Sequence, residues 1–150
     1  MVAGLALALS ACLKVEDLPP EPRIGFKSFE LFDNDSASLV ITFTDGDGDI
    51  GLGDADTVAP YDANLYLGYF EMQDGAWAGV DLGTEPYIPY RVPDITPTGQ
   101  NPTLDGEIAI ALKPFSLYRN AGADTIKYDV RLKDRALHVS NVVETGMIVP

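Results

Sequence analysis

The chain has one cysteine, one histidine and one tryptophan in 150 residues, and only 10 Lys and Arg against 23 Asp and Glu. A single thiol forms no internal disulfide, so packing or a metal must stabilise any compact domain. The lone histidine, His138, leaves little for zinc or for a histidine-based catalytic centre, and is expected to sit in a loop or at a strand edge. A formal net charge of -13 excludes nucleic acid as a partner, because such a surface repels phosphates at physiological salt. The bases are dispersed, with no cluster longer than Arg131 to Arg135. No apolar run is long enough to cross a bilayer as a helix, which takes roughly 20 residues. Hydrophobic residues nonetheless make up 46% of the chain, enough to build a real core and to argue against wholesale disorder.

The longest apolar stretch is at the start. Residues 2–11, VAGLALALSA, have the length of the apolar region of a secretory signal rather than of a span. No Lys or Arg precedes them, so a basic segment is expected upstream of Met1. Leu9-Ser10-Ala11-Cys12 resembles the lipobox of bacterial lipoprotein signal peptides. That resemblance implies removal of residues 1–11, a diacylglycerol on the Cys12 thiol and acylation of the new amino terminus, which together anchor firmly. Residues 13–23, LKVEDLPPEPR, hold three prolines and three acids without periodicity, so residues 12–23 read as a lipidated cysteine and its tether.

From residue 24 to 150 the sequence reads as short strands between turn signals, with no helical periodicity. The expected strands are Ile24–Phe32, Ala37–Thr44, Asn64–Gln73, Ala76–Val80, Pro86–Val92, Gly106–Leu112, Thr125–Leu132 and Val139–Val149. Asp74-Gly75 is a hairpin turn, since Gly accepts the positive φ required there. Alternation nominates Leu39, Ile41 and Phe43 as core on one strand, and Tyr66 and Phe70 on another. The run 124-DTIKYDVRL-132 resembles strand F of immunoglobulin-like domains, with Tyr128 as a corner tyrosine bonded to upstream backbone. The fold expectation is therefore all-β, an immunoglobulin-like antiparallel sandwich of about seven or eight strands.

Between two of these strands lies 44-TDGDGDIGLGDAD-56. From Gly46 to Gly51 it spells G-x-G-x-x-G, but a dinucleotide turn must open a helix, and Gly, Asp and Pro follow instead. Asp45, Asp47 and Asp49 would also press carboxylates on the phosphates. Read as a cation loop it fits better. Calcium takes about six to eight hard oxygens. Asp45, Asp47 and Asp49 fall at positions one, three and five, the Gly51 carbonyl at seven and Asp56 at twelve, with Asp54 beside it. The spacing resembles EF-hand, dockerin and thrombospondin-type loops. It departs from them at Ile50, where Gly is expected, and in Asp rather than Glu at the end. In immunoglobulin-like sandwiches the B–C and F–G loops share one end, which would bring Asp134 and Asn141 of 133-KDRALHVSN-141 to the same Ca2+. The bland alternative is a solvated acidic turn.

No G-x-S-x-G elbow surrounds Ser28, Ser36, Ser38, Ser116 or Ser140, and Cys12 is committed to lipid, so no enzyme is expected. Trp77, Tyr87 and Tyr90 are the candidate platform for a glycan, though such rings more often pack within sheets. The lipobox, the Pro-rich tether, TDGDGDIGL and KDRALHVSNVVET together resemble small outer-membrane lipoproteins of Gram-negative bacteria. The resemblance implies a place on the envelope membrane, at its periplasmic or surface face; an envelope protein or a glycan is the expected partner on separate grounds. It implies no chemistry.

Overall fold

The structure, a computed structural model, describes residues 18–32, 35–80, 87–96, 103–116 and 123–149. Among them there is no helix. Eight strands follow in order: β1 (Arg23–Phe32), β2 (Ser36–Asp45), β3 (Leu65–Gln73), β4 (Ala76–Gly79), β5 (Ile88–Tyr90), β6 (Leu104–Leu112), β7 (Ile126–Leu132) and β8 (Val143–Glu144). They form two antiparallel sheets. One has the order β1-β2-β6, the other β4-β3-β7-β8, with β5 sharing the β4 edge of β3. Asp74 and Gly75 both take positive φ, the backbone of a primed hairpin turn, as the dipeptide requires.

Two inward stripes make the core. On β2 the stripe is Ala37, Leu39, Ile41 and Phe43; on β7 it is Ile126, Tyr128, Val130 and Leu132. These residues belong to different sheets and to one buried cluster, consistent with a β-sandwich. The Tyr128 hydroxyl donates to the Phe115 carbonyl, backbone upstream of it.

The sequence reading placed the wrong face of β3 inside. Leu65, Leu67 and Tyr69 are buried, whereas Tyr66 and Phe70 are only half-buried, outside the core cluster. LYLGYF is apolar on both faces, so alternation alone does not set its phase, and a one-residue slip exchanges the faces. Neighbours decide: Tyr66 lies opposite Arg131 and Phe70 opposite Lys127, on the polar side of β7. The last strand is also shorter than expected. Only Val143–Glu144 pair as a strand, flanked by single bridges at Val139 and Ile148.

Candidate metal centre

The site grows from the parity of the two stripes. One step of two beyond Phe43 is Asp45, and one beyond Leu132 is Asp134. Both continue the inward direction of their strands, so both are fully buried although charged. Because β2 and β7 belong to opposite sheets, the acids meet at the end of the core. The loop after β2 returns Asp49 to the same place by inserting Ile50, which is completely buried. That resolves the odd residue at position six: Ile50 anchors the loop to the core instead of helping it coil.

One carboxylate oxygen from each of Asp45, Asp49 and Asp134 lies within 4.8 Å of the others. The remaining bonds hold the loops in place. The Asp49 amide donates to Asp45 Oδ2 at 2.9 Å, and the Ala136 amide donates to Asp49 Oδ2 at 3.0 Å. Asp134 Oδ1 accepts the His138 amide at 2.7 Å, and its Oδ2 lies 2.8 Å from His138 Nδ1. Asp45 Oδ1 and Asp49 Oδ1 are buried and have no hydrogen-bond partner. Burial, reinforced by the Asp47 carboxylate, pushes Asp45 up to about 6. Burial and then the Asp134 carboxylate raise Asp49 as well. Hydrogen bonding to Asp134 raises His138. His138 partners Asp134 alone, so the carboxylates of Asp45 and Asp49 are costly to bury, and a bound cation would reverse each of their shifts. All converging donors are hard carboxylate oxygens, which fit Ca2+ and offer nothing to soft metals.

The other expected ligands are not among the converging three. Asp47 is exposed, close enough to raise its neighbours electrostatically but not one of the converging three. Asp54 is exposed. Gly51 has φ 117°, and a Cβ there would collide with the Pro93 carbonyl, so its glycine serves the packing of loop on loop. Asp56 accepts the Gly53 amide at 2.8 Å and pairs with Arg135 at 3.0 Å. Asn141 spends its amide on both the N–H and the carbonyl of Ile24.

Arg91 organises the far half of the same loop. Its guanidinium donates to the carbonyls of Gly53 at 3.0 Å, Tyr61 at 3.1 Å and Asp62 at 3.0 Å, and also to Asp56. No spacing rule points to it, because its partners lie about 30 residues earlier in the chain.

The aromatic platform divides. Tyr90 packs against the core, and burial raises its hydroxyl. Lys127 Nζ sits 5.0 Å from the Trp77 ring centre, and the Arg131 guanidinium 4.7 Å from that of Tyr87, so both outer rings already carry a cation. Cys12 and the apolar start lie outside the described residues. Among the described residues no helix is long and apolar enough to cross a membrane. No family model, curated protein or solved structure matches the chain.

Proposed function

We propose that the protein is a lipid-anchored module of the cell envelope, without catalysis, whose sandwich is stabilised by Ca2+ and serves recognition or scaffolding at that surface. The observation that carries the metal is the pair of buried, partnerless oxygens on Asp45 and Asp49 beside the carboxylate of Asp134. A cation there joins a strand end of one sheet to a strand end of the other, the place that a disulfide takes in proteins with cysteines to spare. The strand order of the two sheets and the bond from Tyr128 to upstream backbone support an immunoglobulin-like reading. The lipobox around Cys12 and the Pro-rich segment after it support the anchor. The cations over Trp77 and Tyr87 weigh against a glycan platform.

The test is thermal unfolding of residues 13–150 in EDTA and in millimolar calcium. At a hundredfold excess over the dissociation constant a ligand adds about 2.7 kcal/mol. For a domain of this size that is a rise of about 10 °C. The rise disappears in Asp45→Asn and in Asp49→Asn. An unchanged midpoint in the native chain leaves the acids as a strained but metal-free cluster and ends the calcium reading.

A further inference from the structure

The direction in which the chain leaves the domain says which end of it meets the membrane. β1 runs antiparallel to β2, so Arg23 lies opposite Thr44, beside the carboxylate cluster. The residues before Arg23 do not swing free there. The Gly46 amide donates to the Pro19 carbonyl at 3.0 Å, and a Cβ on Gly46 would collide with the carbonyls of both Leu18 and Pro19. Asn141 clamps Ile24 from both sides at 2.9 and 2.8 Å. The chain is thus fixed to the metal end as far out as Leu18.

Six Cα–Cα steps separate Leu18 from Cys12. Fully extended they span at most about 20 Å. β2 has 10 residues and is itself about 30 Å long, so the tether cannot stand the sandwich upright on its opposite end over a bilayer that holds Cys12. We infer that the end carrying Asp45, Asp49 and Asp134 is the membrane-facing surface, and that its partner is the headgroup layer of the anchoring bilayer. This rests on lipidation of Cys12 and extends the calcium reading. Val58, Leu137 and Val139 are exposed apolar residues on the loops of that end, suited to the headgroup boundary. Its acids repel an anionic leaflet, and calcium lowers that repulsion by neutralising the innermost of them.

The only thiol allows a direct test. The chain from Cys12 onward is coupled through that thiol to maleimide-headgroup lipid, in phosphatidylcholine vesicles containing some phosphatidylglycerol and a dansyl-headgroup acceptor. Trp77, the native donor, lies opposite Met72 at the far end of β3, whereas Leu137 donates its amide to the Asp134 carbonyl. Energy transfer is compared between the native chain and W77F/L137W, with W77F/V58W as a second reporter should the first unfold. The expected result is several-fold stronger transfer from the loop tryptophan, rising further with calcium on the anionic vesicles and indifferent to it on neutral ones. Equal or stronger transfer from Trp77 overturns the orientation. A loop signal on anionic vesicles that ignores calcium overturns the electrostatic part. The calcium reading is judged separately by the solution midpoint of the same variants: without a shift there, it fails, and transfer in EDTA still decides the orientation.

Discussion

The loop between β2 and β3 is built in two ways along its length. Its far half, Gly53 to Asp62, is ordered by cations that the chain supplies itself: Arg91 gathers four carbonyls and Arg135 pairs with Asp56. Its near half, Asp45 to Asp49, collects negative charge at the mouth of the core, and two of its buried oxygens have no partner. Both halves present oxygens that converge on a point. In one, a guanidinium fills the point; in the other, no cationic side chain among the described residues does. A fixed arginine works whatever the solvent holds, whereas under the proposed calcium binding the near half would make stability depend on what the solvent provides.

That contrast can be broken most severely at Asp134. Asp134→Ala removes a converging oxygen and also the acceptor for the His138 amide and ring. Urea unfolding in millimolar calcium should show a loss of about 5 kcal/mol, the proposed ligand term together with the charge-assisted bonds. The loss should be clearly smaller in EDTA, where the deletion also relieves repulsion.

A pH series sharpens the same comparison. In EDTA the folded state holds the Asp45 proton more tightly than the unfolded chain does, because its carboxyl is raised from 3.8 to about 6. The contribution is therefore complete below about pH 4 and is lost as pH rises through 6, a decline of about 3 kcal/mol. Asp49 and His138 are raised too and act in the same direction. The quantity to plot is the stability difference between the native chain and Asp45→Asn from pH 4 to 7.5. Calcium, which needs the ionised acids, should invert the slope; a flat difference in EDTA would mean the cluster is better solvated than its geometry implies.

Arg91→Met should cost about 2 kcal/mol through the lost carbonyl bonds. The cost should be equal with and without calcium, as expected of the half that carries its own cation. The smallest effect belongs to Asp56→Asn. Its pair with Arg135 is partly exposed, so chemical denaturation should register less than about 1 kcal/mol, and calcium affinity should not move.

How much of this was legible beforehand follows from the periods involved. Single-faced strands were readable: SLVITF alternates cleanly, and continuing its parity by one step puts Asp45 inside. The same extension along IKYDVRL puts Asp134 inside, and the shared end of the two loops brings them together. LYLGYF was not readable, since both its faces are apolar and only the residues of β7 opposite it choose between them. Counting along a calcium-loop template does not distinguish the acids by burial. It treated Asp45, Asp47 and Asp49 as equivalent, whereas burial of Ile50 turns Asp47 out to solvent and Asp49 in. Arg91 was invisible because its role depends on carbonyls, which every residue possesses and no sequence pattern marks.

The convergence of the three acids also bears on when the site can exist. Asp49 and the amide that fixes it, on Ala136, are separated by 87 residues, with β3 to β7 between them. Loop closures of that length come late in folding. A chain interrupted anywhere before Asp134 lacks the site altogether. The cluster therefore acts as a certificate of completion. The proposed calcium binding would report that both sheets have met in register, and no fragment of the sequence, including the acidic loop synthesised as a peptide, should reproduce it.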